Sequence, residues 1–135
     1  MASVSRCDRC RGETVVRPTP DDVPVDDETR IVRVCTRCLA VTPAAGEPVD
    51  REWDPAEVSA ALPSDPDAAV GVAVLVTLLD SLALNRRAIE RAVAGLDAAG
   101  VDSLLTLERI EADERLEPII DLPRRRAQLA QLLEE

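Results

Sequence analysis

The feature that most constrains this chain is a pair of Cys-x-x-Cys motifs, which together contain all 4 of its cysteines. The motifs lie 24 residues apart, and their cysteines are Cys7, Cys10, Cys35 and Cys38. Two thiolates separated by two residues can hold one side of a tetrahedral metal ion, and a second such pair completes a closed shell of four sulfurs. The spacing therefore predicts one metal site that both motifs share.

The ligand set favours zinc (Zn²⁺) in a structural role, because four thiolates in a compact frame suit its tetrahedral geometry. Iron in a rubredoxin-like redox site is the alternative, since it takes the same ligands. Small redox heads usually pack several aromatic residues around their metal, whereas Trp53 is the only aromatic residue here. Thiol–disulfide chemistry is disfavoured, because neither motif opens a helix within a βαβ unit.

Residues 1–49 predict a zinc-ribbon-like head. Runs rich in β-branched residues at 13–17 and 30–34 leave the first motif and enter the second, and pairing them as an antiparallel hairpin brings the four cysteines to one end. Between them, residues 18–28 contain three prolines and five carboxylates, which predicts an exposed loop. Residues 43–48 contain two prolines and a glycine and predict a linker.

Residues 50–135 predict a bundle of about five helices. Asp54-Pro55 and Asp65-Pro66 each match an N-cap followed by proline at the first helical position. The expected helices run from about 55 to 62, 66 to 84, 86 to 99, 103 to 111 and 123 to 133. The predicted fold class is therefore α+β and mostly α, with a small N-terminal zinc-ribbon β-hairpin followed by the helical bundle.

The second of these helices is apolar on most of its sides, which indicates a helix that is central in the bundle or shared with a partner subunit. Val72, Val76 and Leu79 are the candidate residues of an interaction surface on it. We therefore expect an unknown protein partner, or self-association, through the helical part.

The composition argues against an enzyme. Histidine and tyrosine are absent, and all 16 basic residues are arginine, so the usual general bases, Schiff-base amines and phenols are missing. The thiols are committed to the metal, and no glycine-rich phosphate loop or Gly-x-Ser-x-Gly turn is present. We expect no catalytic residue and no site for an organic cofactor.

The chain is strongly acidic, with 26 acidic residues and a net charge of −10. Near 1 M salt the screening length falls to about 3 Å, so self-repulsion fades while hydrated carboxylates keep the protein in solution. Abundant aspartate without lysine fits an organism with molar intracellular salt. A GC-rich genome is the alternative explanation, because it favours Arg, Ala, Asp and Val codons.

Positive charge is concentrated around the cysteine motifs. Residues 1–18 carry four arginines against two acids, and residues 30–42 carry three arginines and no acid. Such a ribbon can contact phosphates, so a nucleic-acid-associated regulator is the second hypothesis. We favour arginines that offset the zinc–thiolate charge and pair with acids of residues 21–28, because the ribbon has no aromatic residue to stack on a base. Residues 124–126 are expected to pair with acids between 111 and 117.

No membrane attachment is expected. The longest apolar run, at 68–79, has twelve residues, whereas a membrane span needs about 20, and the N-terminus lacks an apolar signal segment. We therefore expect a cytoplasmic protein, in which paired cysteines indicate metal ligands rather than disulfides.

Four stretches of the sequence, spread over nearly its full length, are similar to those of a known family. They are Cys7-x-x-Cys10 followed by Gly12-Glu13-Thr14-Val15, then Cys35-Thr36-Arg37-Cys38-Leu39, Leu79-Asp80-Ser81-Leu82-Ala83-Leu84 and Arg124-Arg125-Arg126-x-Gln128-Leu129. The chain thus resembles a haloarchaeal family of small uncharacterised proteins that pair a zinc-ribbon-like head with a helical C-terminal part. Asp8 stands where proline is common in such ribbons, and Arg11 where glycine is common. The resemblance implies a fold and a halophilic host, but no mechanism.

Overall fold

A computed structural model of the chain describes residues 6–20, 23 and 30–134. Within these ranges a three-stranded antiparallel sheet comes first, and five helices follow it. The strands are β1 (Thr14–Pro18), β2 (Ile31–Cys35) and β3 (Val41–Pro43), and the helices are α1 (Pro55–Val58), α2 (Pro66–Leu78), α3 (Leu82–Ala98), α4 (Ser103–Ala112) and α5 (Leu122–Glu134). This architecture confirms the predicted fold class. No helix in the described part of the chain is long and apolar enough to cross a membrane.

The predicted hairpin is formed by β1 and β2. Thr14 lies opposite Cys35, and Pro18 lies opposite Ile31. This register puts the start of β1, which follows the first motif, beside the end of β2, where the second motif begins. Most of the loop predicted at 18–28 lies outside the described residues, although Val23 is described and packs in the core.

The sheet also has a third strand that the sequence did not predict. β3 pairs with β2, with Val41 opposite Val34 and Thr42 opposite Arg33, and it ends inside the segment expected to be a linker. Three residues are too few to show the period-two alternation on which strand prediction depends. Pro43 is tolerated because β3 is an edge strand, where a missing N–H costs little.

The boundary between α2 and α3 lies earlier than predicted. α2 ends at Leu78 and α3 begins at Leu82, whereas the sequence predicted one helix to about Leu84. Ser81 is the N-cap of α3, and its hydroxyl accepts a hydrogen bond from the Leu84 N–H at 3.3 Å. Asn85 lies inside α3, where its side-chain amide donates to the Leu78 carbonyl at 2.9 Å. Asn85 thus satisfies a carbonyl at the end of the preceding helix. The sequence did not indicate the boundary, because the turn contains leucines that fit a continuous apolar helix.

α2 lies at the centre of the core. Its residues 68–76 are all buried. Val72 is 1% exposed, Val76 is 3% exposed, and Leu79, at the C-cap, is 0% exposed. The suggestion that these three residues form an interaction surface is therefore wrong, because the rest of the same chain covers them.

The sheet and the helices share one hydrophobic core. Val32 and Val34 of β2 belong to the same buried cluster as α2, and Leu39 joins them from the turn after the second motif. Leu107 of α4 and Leu129 of α5 belong to this cluster as well. The division of the sequence at residues 49 and 50 stays a prediction, and packing across it joins the head to the helices.

Candidate metal centre

The four cysteines lie together at one end of the sheet. Their Sγ atoms are all within 4.8 Å of one another. The Sγ atoms of Cys7 and Cys38 are 3.6 Å apart, and those of Cys10 and Cys35 are 3.4 Å apart. Each motif thus contributes to both of these short contacts, and the four sulfurs are close enough to hold one metal ion.

The first motif forms a tight turn, here called the first knuckle (residues 7–12). The Arg11 N–H donates to the Cys7 carbonyl at 2.9 Å, and the Cys7 N–H donates to the Gly12 carbonyl at 2.9 Å. Arg11 has a φ of 65°, a left-handed conformation that glycine adopts more easily. This is the position where the sequence has arginine in place of the common glycine.

The second motif forms the same turn, here called the second knuckle (residues 35–40). The Leu39 N–H donates to the Cys35 carbonyl at 3.0 Å, and the Cys35 N–H donates to the Ala40 carbonyl at 3.0 Å. Leu39 has a φ of 63°, matching Arg11 of the first knuckle. Its side chain is 1% exposed, so packing in the core stabilises a conformation that is unfavourable for leucine.

Backbone amides point at the sulfurs. The Arg9 N–H donates to Cys7 Sγ at 3.4 Å. In the second knuckle, the N–H groups of Arg37 and Cys38 both donate to Cys35 Sγ at 3.4 Å. Hydrogen bonds of this kind stabilise a thiolate relative to a thiol, as a metal ligand requires.

The two knuckles pack closely against each other at Gly12. A Cβ atom on Gly12 would lie 2.8 Å from Arg37 Cβ, 3.1 Å from Cys35 Sγ and 3.2 Å from Cys10 Sγ. The first of these distances is shorter than side-chain carbon atoms tolerate. The Thr36 N–H also donates to the Glu13 carbonyl at 2.9 Å, which ties the second knuckle to the residue that follows Gly12.

Burial and mutual proximity govern the protonation of the thiols. Burial raises the pKa of the Cys38 thiol, and the neighbouring thiols of Cys35, Cys7 and Cys10 raise it further. Burial likewise raises the pKa of Cys35. Burial also opposes ionisation of Cys7, but hydrogen bonds from the backbone of Cys10 and Arg9 and from neighbouring thiols outweigh it and lower its pKa to about 7. Four thiolates at these distances therefore need a cation among them.

The second knuckle is fixed to the helical part of the chain. The Glu117 N–H, in the connection between α4 and α5, donates to the Arg37 carbonyl at 2.7 Å. The Glu117 carboxylate in turn accepts from Arg37 Nε at 3.0 Å and Nη2 at 2.9 Å. The Val41 N–H donates to the Thr77 hydroxyl of α2 at 3.2 Å. The cysteine cluster is thus connected to α2 and to the α4–α5 connection.

Several arginines of the ribbon are paired with acids. The described pairs around the sheet are Arg6–Glu13 (4.0 Å), Arg17–Asp67 (3.9 Å), Arg33–Glu47 and Arg37–Glu117 (2.9 Å). The partners expected at 21–28 lie outside the described residues. Arg126 pairs with Glu111 across the α4–α5 connection, as expected for residues 124–126. Because Arg33 and Arg37 already bind carboxylates, they are less available to a nucleic-acid backbone.

The arrangement fits a tetrahedral metal–thiolate site. A Zn–S bond of about 2.3 Å places the sulfurs of a tetrahedron roughly 3.8 Å apart. The Cys10–Cys35 and Cys7–Cys38 Sγ distances are close to this value, at 3.4 and 3.6 Å. A disulfide requires about 2.05 Å, and all four cysteines are free. Four thiolates suit zinc or iron, and the four cysteines that the sequence predicted to converge do so.

Comparison with known proteins identifies a family without an assigned activity. No curated protein and no solved structure matches the chain. A family model does match, over residues 6–133, which include both knuckles and almost all of the helical part. The chain therefore belongs to the family of unknown function DUF6276.

Proposed function

We propose that this chain is a non-enzymatic, cytoplasmic zinc-binding protein in which Cys7, Cys10, Cys35 and Cys38 hold one structural Zn²⁺. The convergence of four Sγ atoms within 4.8 Å carries the proposal. The zinc closes the two knuckles on each other, and the second knuckle in turn holds the α4–α5 connection through Glu117. Zinc binding in small sites of this kind supplies on the order of 10 kcal/mol, which is comparable to the whole stability of a domain.

A structural role is favoured over catalysis by the ligand count and by burial. Four protein ligands leave no coordination position for water or substrate. Cys35 and Cys38 are 1% and 2% exposed, so the second knuckle's cysteines are largely shielded from solvent. Iron in a redox site is the rival, and it predicts a coloured, iron-containing protein.

Metal removal tests the structural role. Trp53 packs against the core, so its fluorescence reports the folding of the whole unit. A chelator is expected to lower the melting temperature by at least about 10 °C, and Cys10→Ser is expected to have the same effect without a chelator. Thr42→Ser, at an exposed position of the same sheet, serves as the matched control. Unchanged melting after verified metal removal contradicts a structural role.

We propose further that the helical part mediates interaction with a protein partner or a second copy of the chain. Large exposed apolar residues support this: Leu84 (87% exposed), Ile119 (55%), Leu105 (42%) and Leu133 (39%). Unlike Val72, Val76 and Leu79, these side chains are accessible. Light scattering in molar salt tests self-association, which predicts a mass that rises with concentration and falls in the Leu84→Glu variant. A strict monomer at high concentration contradicts self-association and leaves affinity isolation from the native host to test for a different partner.

A further inference from the structure

A cleft of about 320 Å³ lies between the first knuckle and the sheet. Arg9 of the first knuckle and Arg6, which directly precedes that knuckle, line the cleft on one side. Arg33 and Thr42 line it from the sheet, where they lie opposite each other in the β2–β3 register. Cys7 also lines the cleft, which therefore adjoins the metal centre. Its volume is at the lower end of the range for small-molecule sites.

The cleft brings positive charge together in a chain whose net charge is −10. Three guanidinium groups line it against one carboxylate, that of Asp8. Arg33 is engaged by Glu47. Arg6 makes only a long, exposed ion pair with Glu13, at 4.0 Å. The Arg9 guanidinium has no ion-pair partner among the described residues and is exposed. Arg6 and Arg9 are thus the donors most available to a ligand.

The zinc–thiolate cluster works against an anion, because four thiolates and Zn²⁺ carry a net charge of −2. Two observations reduce this opposition. Amide hydrogen bonds to Cys7 and Cys35 disperse the sulfur charge, and both sulfurs belong to buried residues, while Arg6 and Arg9 reach solvent. Binding in the cleft therefore depends on directed hydrogen bonds from guanidinium groups, which suit an anion with several acceptor oxygens.

We propose that this cleft binds the phosphate monoester group of a small molecule, with Arg6 and Arg9 as its principal donors and Thr42 as an additional hydroxyl donor. A terminal phosphate has three oxygens for two arginine side chains, whereas a carboxylate has only two oxygens and one charge. A phosphodiester in a nucleic acid has lower charge and must leave the cleft at both ends. The inference rests on the proposed zinc site, because the first knuckle forms one wall of the cleft.

Calorimetric titration of the full, zinc-loaded chain with inorganic phosphate tests the proposal, with zinc quantified on the same sample. Arg9→Gln removes the guanidinium and keeps the backbone N–H that binds Cys7 Sγ. We expect saturable binding of one phosphate per chain, weakened about tenfold or more by Arg9→Gln. Arg87→Gln, an exposed change on α3 away from the cleft, is the matched control and is expected to change binding less than about twofold.

Each failure has a distinct meaning. Absence of saturable phosphate binding in a protein that holds its zinc contradicts the proposed phosphate site and does not affect the proposed zinc site. Three other results also contradict the proposed phosphate site. Arg9→Gln and Arg87→Gln weaken phosphate binding equally, or acetate binds as tightly as phosphate, or a single-stranded DNA oligonucleotide binds and phosphate does not. If Arg9→Gln instead weakens zinc retention and phosphate does not bind, the arginine only balances the charge of the cluster. A protein that lacks zinc overturns both proposals.

Discussion

Replacing Gly12 by alanine is expected to separate the two knuckles. Gly12 is buried between them, and its φ lies outside the left-handed region, so alanine can adopt its backbone conformation. The added Cβ would meet Arg37 Cβ at 2.8 Å and two cysteine sulfurs at 3.1 and 3.2 Å. The nearest atom belongs directly to the second knuckle and has no rotatable bond through which it can move aside. The backbone of one knuckle must therefore shift by a few tenths of an ångström or more.

The cost of this shift follows from the cost of overpacking. An extra methyl group in a closely packed interior typically destabilises by about 1–3 kcal/mol. Because the strain lies between two halves of one ligand shell, we expect this cost mainly to weaken zinc binding. A cost of about 1–3 kcal/mol corresponds to a roughly 5- to 150-fold lower zinc affinity. We expect a value in the upper part of this range, because the added methyl group also crowds the Sγ atoms of Cys10 and Cys35.

Competition with a chromophoric zinc chelator measures the change in affinity. Gly100→Ala is the matched control, since Gly100 has a φ of 80° and a Cβ added to it would meet no heavy atom within 4 Å. This control is expected to lose about 1 kcal/mol of folding stability through backbone strain while keeping its zinc affinity. If Gly12→Ala binds zinc as tightly as the original chain, the close packing of the knuckles does not determine the metal site.

Three further outcomes are expected. Zinc uptake at pH 7 is expected to release at least about two protons per chain, because burial raises the pKa of Cys35 and Cys38 and both thiols are protonated without metal. The release is measured in weak buffer, and fewer than one proton per chain contradicts this expectation. Arg11→Gly is expected to raise the free energy of unfolding by up to about 1 kcal/mol, and with it the melting temperature, because Arg11 has a φ of 65°. A lower melting temperature argues against strain at this position. Asp113→Ala costs about 1–3 kcal/mol in denaturant unfolding at pH 7, because it leaves the buried Ser59 hydroxyl without its acceptor.

The pH dependence of the last variant gives a separate check. The hydrogen bond from Ser59 holds the pKa of Asp113 below its usual value, with help from the Arg115 N–H. A carboxyl with a lowered folded-state pKa stabilises the fold above its unfolded-state pKa, and this stabilisation is lost as pH falls through the folded-state value. The stability difference between the chain and Asp113→Ala is therefore expected to shrink in acid. Glu114→Ala, at the adjacent exposed position, should show no such trend.

The sequence predicted those features that depend on local pattern. The Cys-x-x-Cys spacing identified the four residues that converge, and the β-branched runs identified the hairpin between them. Asp54 and Asp65, each before a proline, predicted helix starts that the structure shows, with both side chains accepting N-cap hydrogen bonds. These signals were sufficient because each one acts within a few residues of chain.

The features that the sequence did not predict depend on contacts between distant segments. Glu117 binds Arg37 from 80 positions away, and nothing in its neighbourhood distinguishes it from other exposed acids. Gly12 packs against Arg37, although no local pattern indicates that the two knuckles meet at that position. The burial of Val72 could not be separated from exposure at an interface, because an apolar helix suits both environments equally.

Native mass spectrometry of the folded chain, purified without added metal, tests whether the four cysteines hold a structural zinc. We expect one zinc per chain, and a Cys10→Ser variant that has lost it. A folded chain that carries no metal, or one that carries iron in place of zinc, contradicts the proposed zinc site.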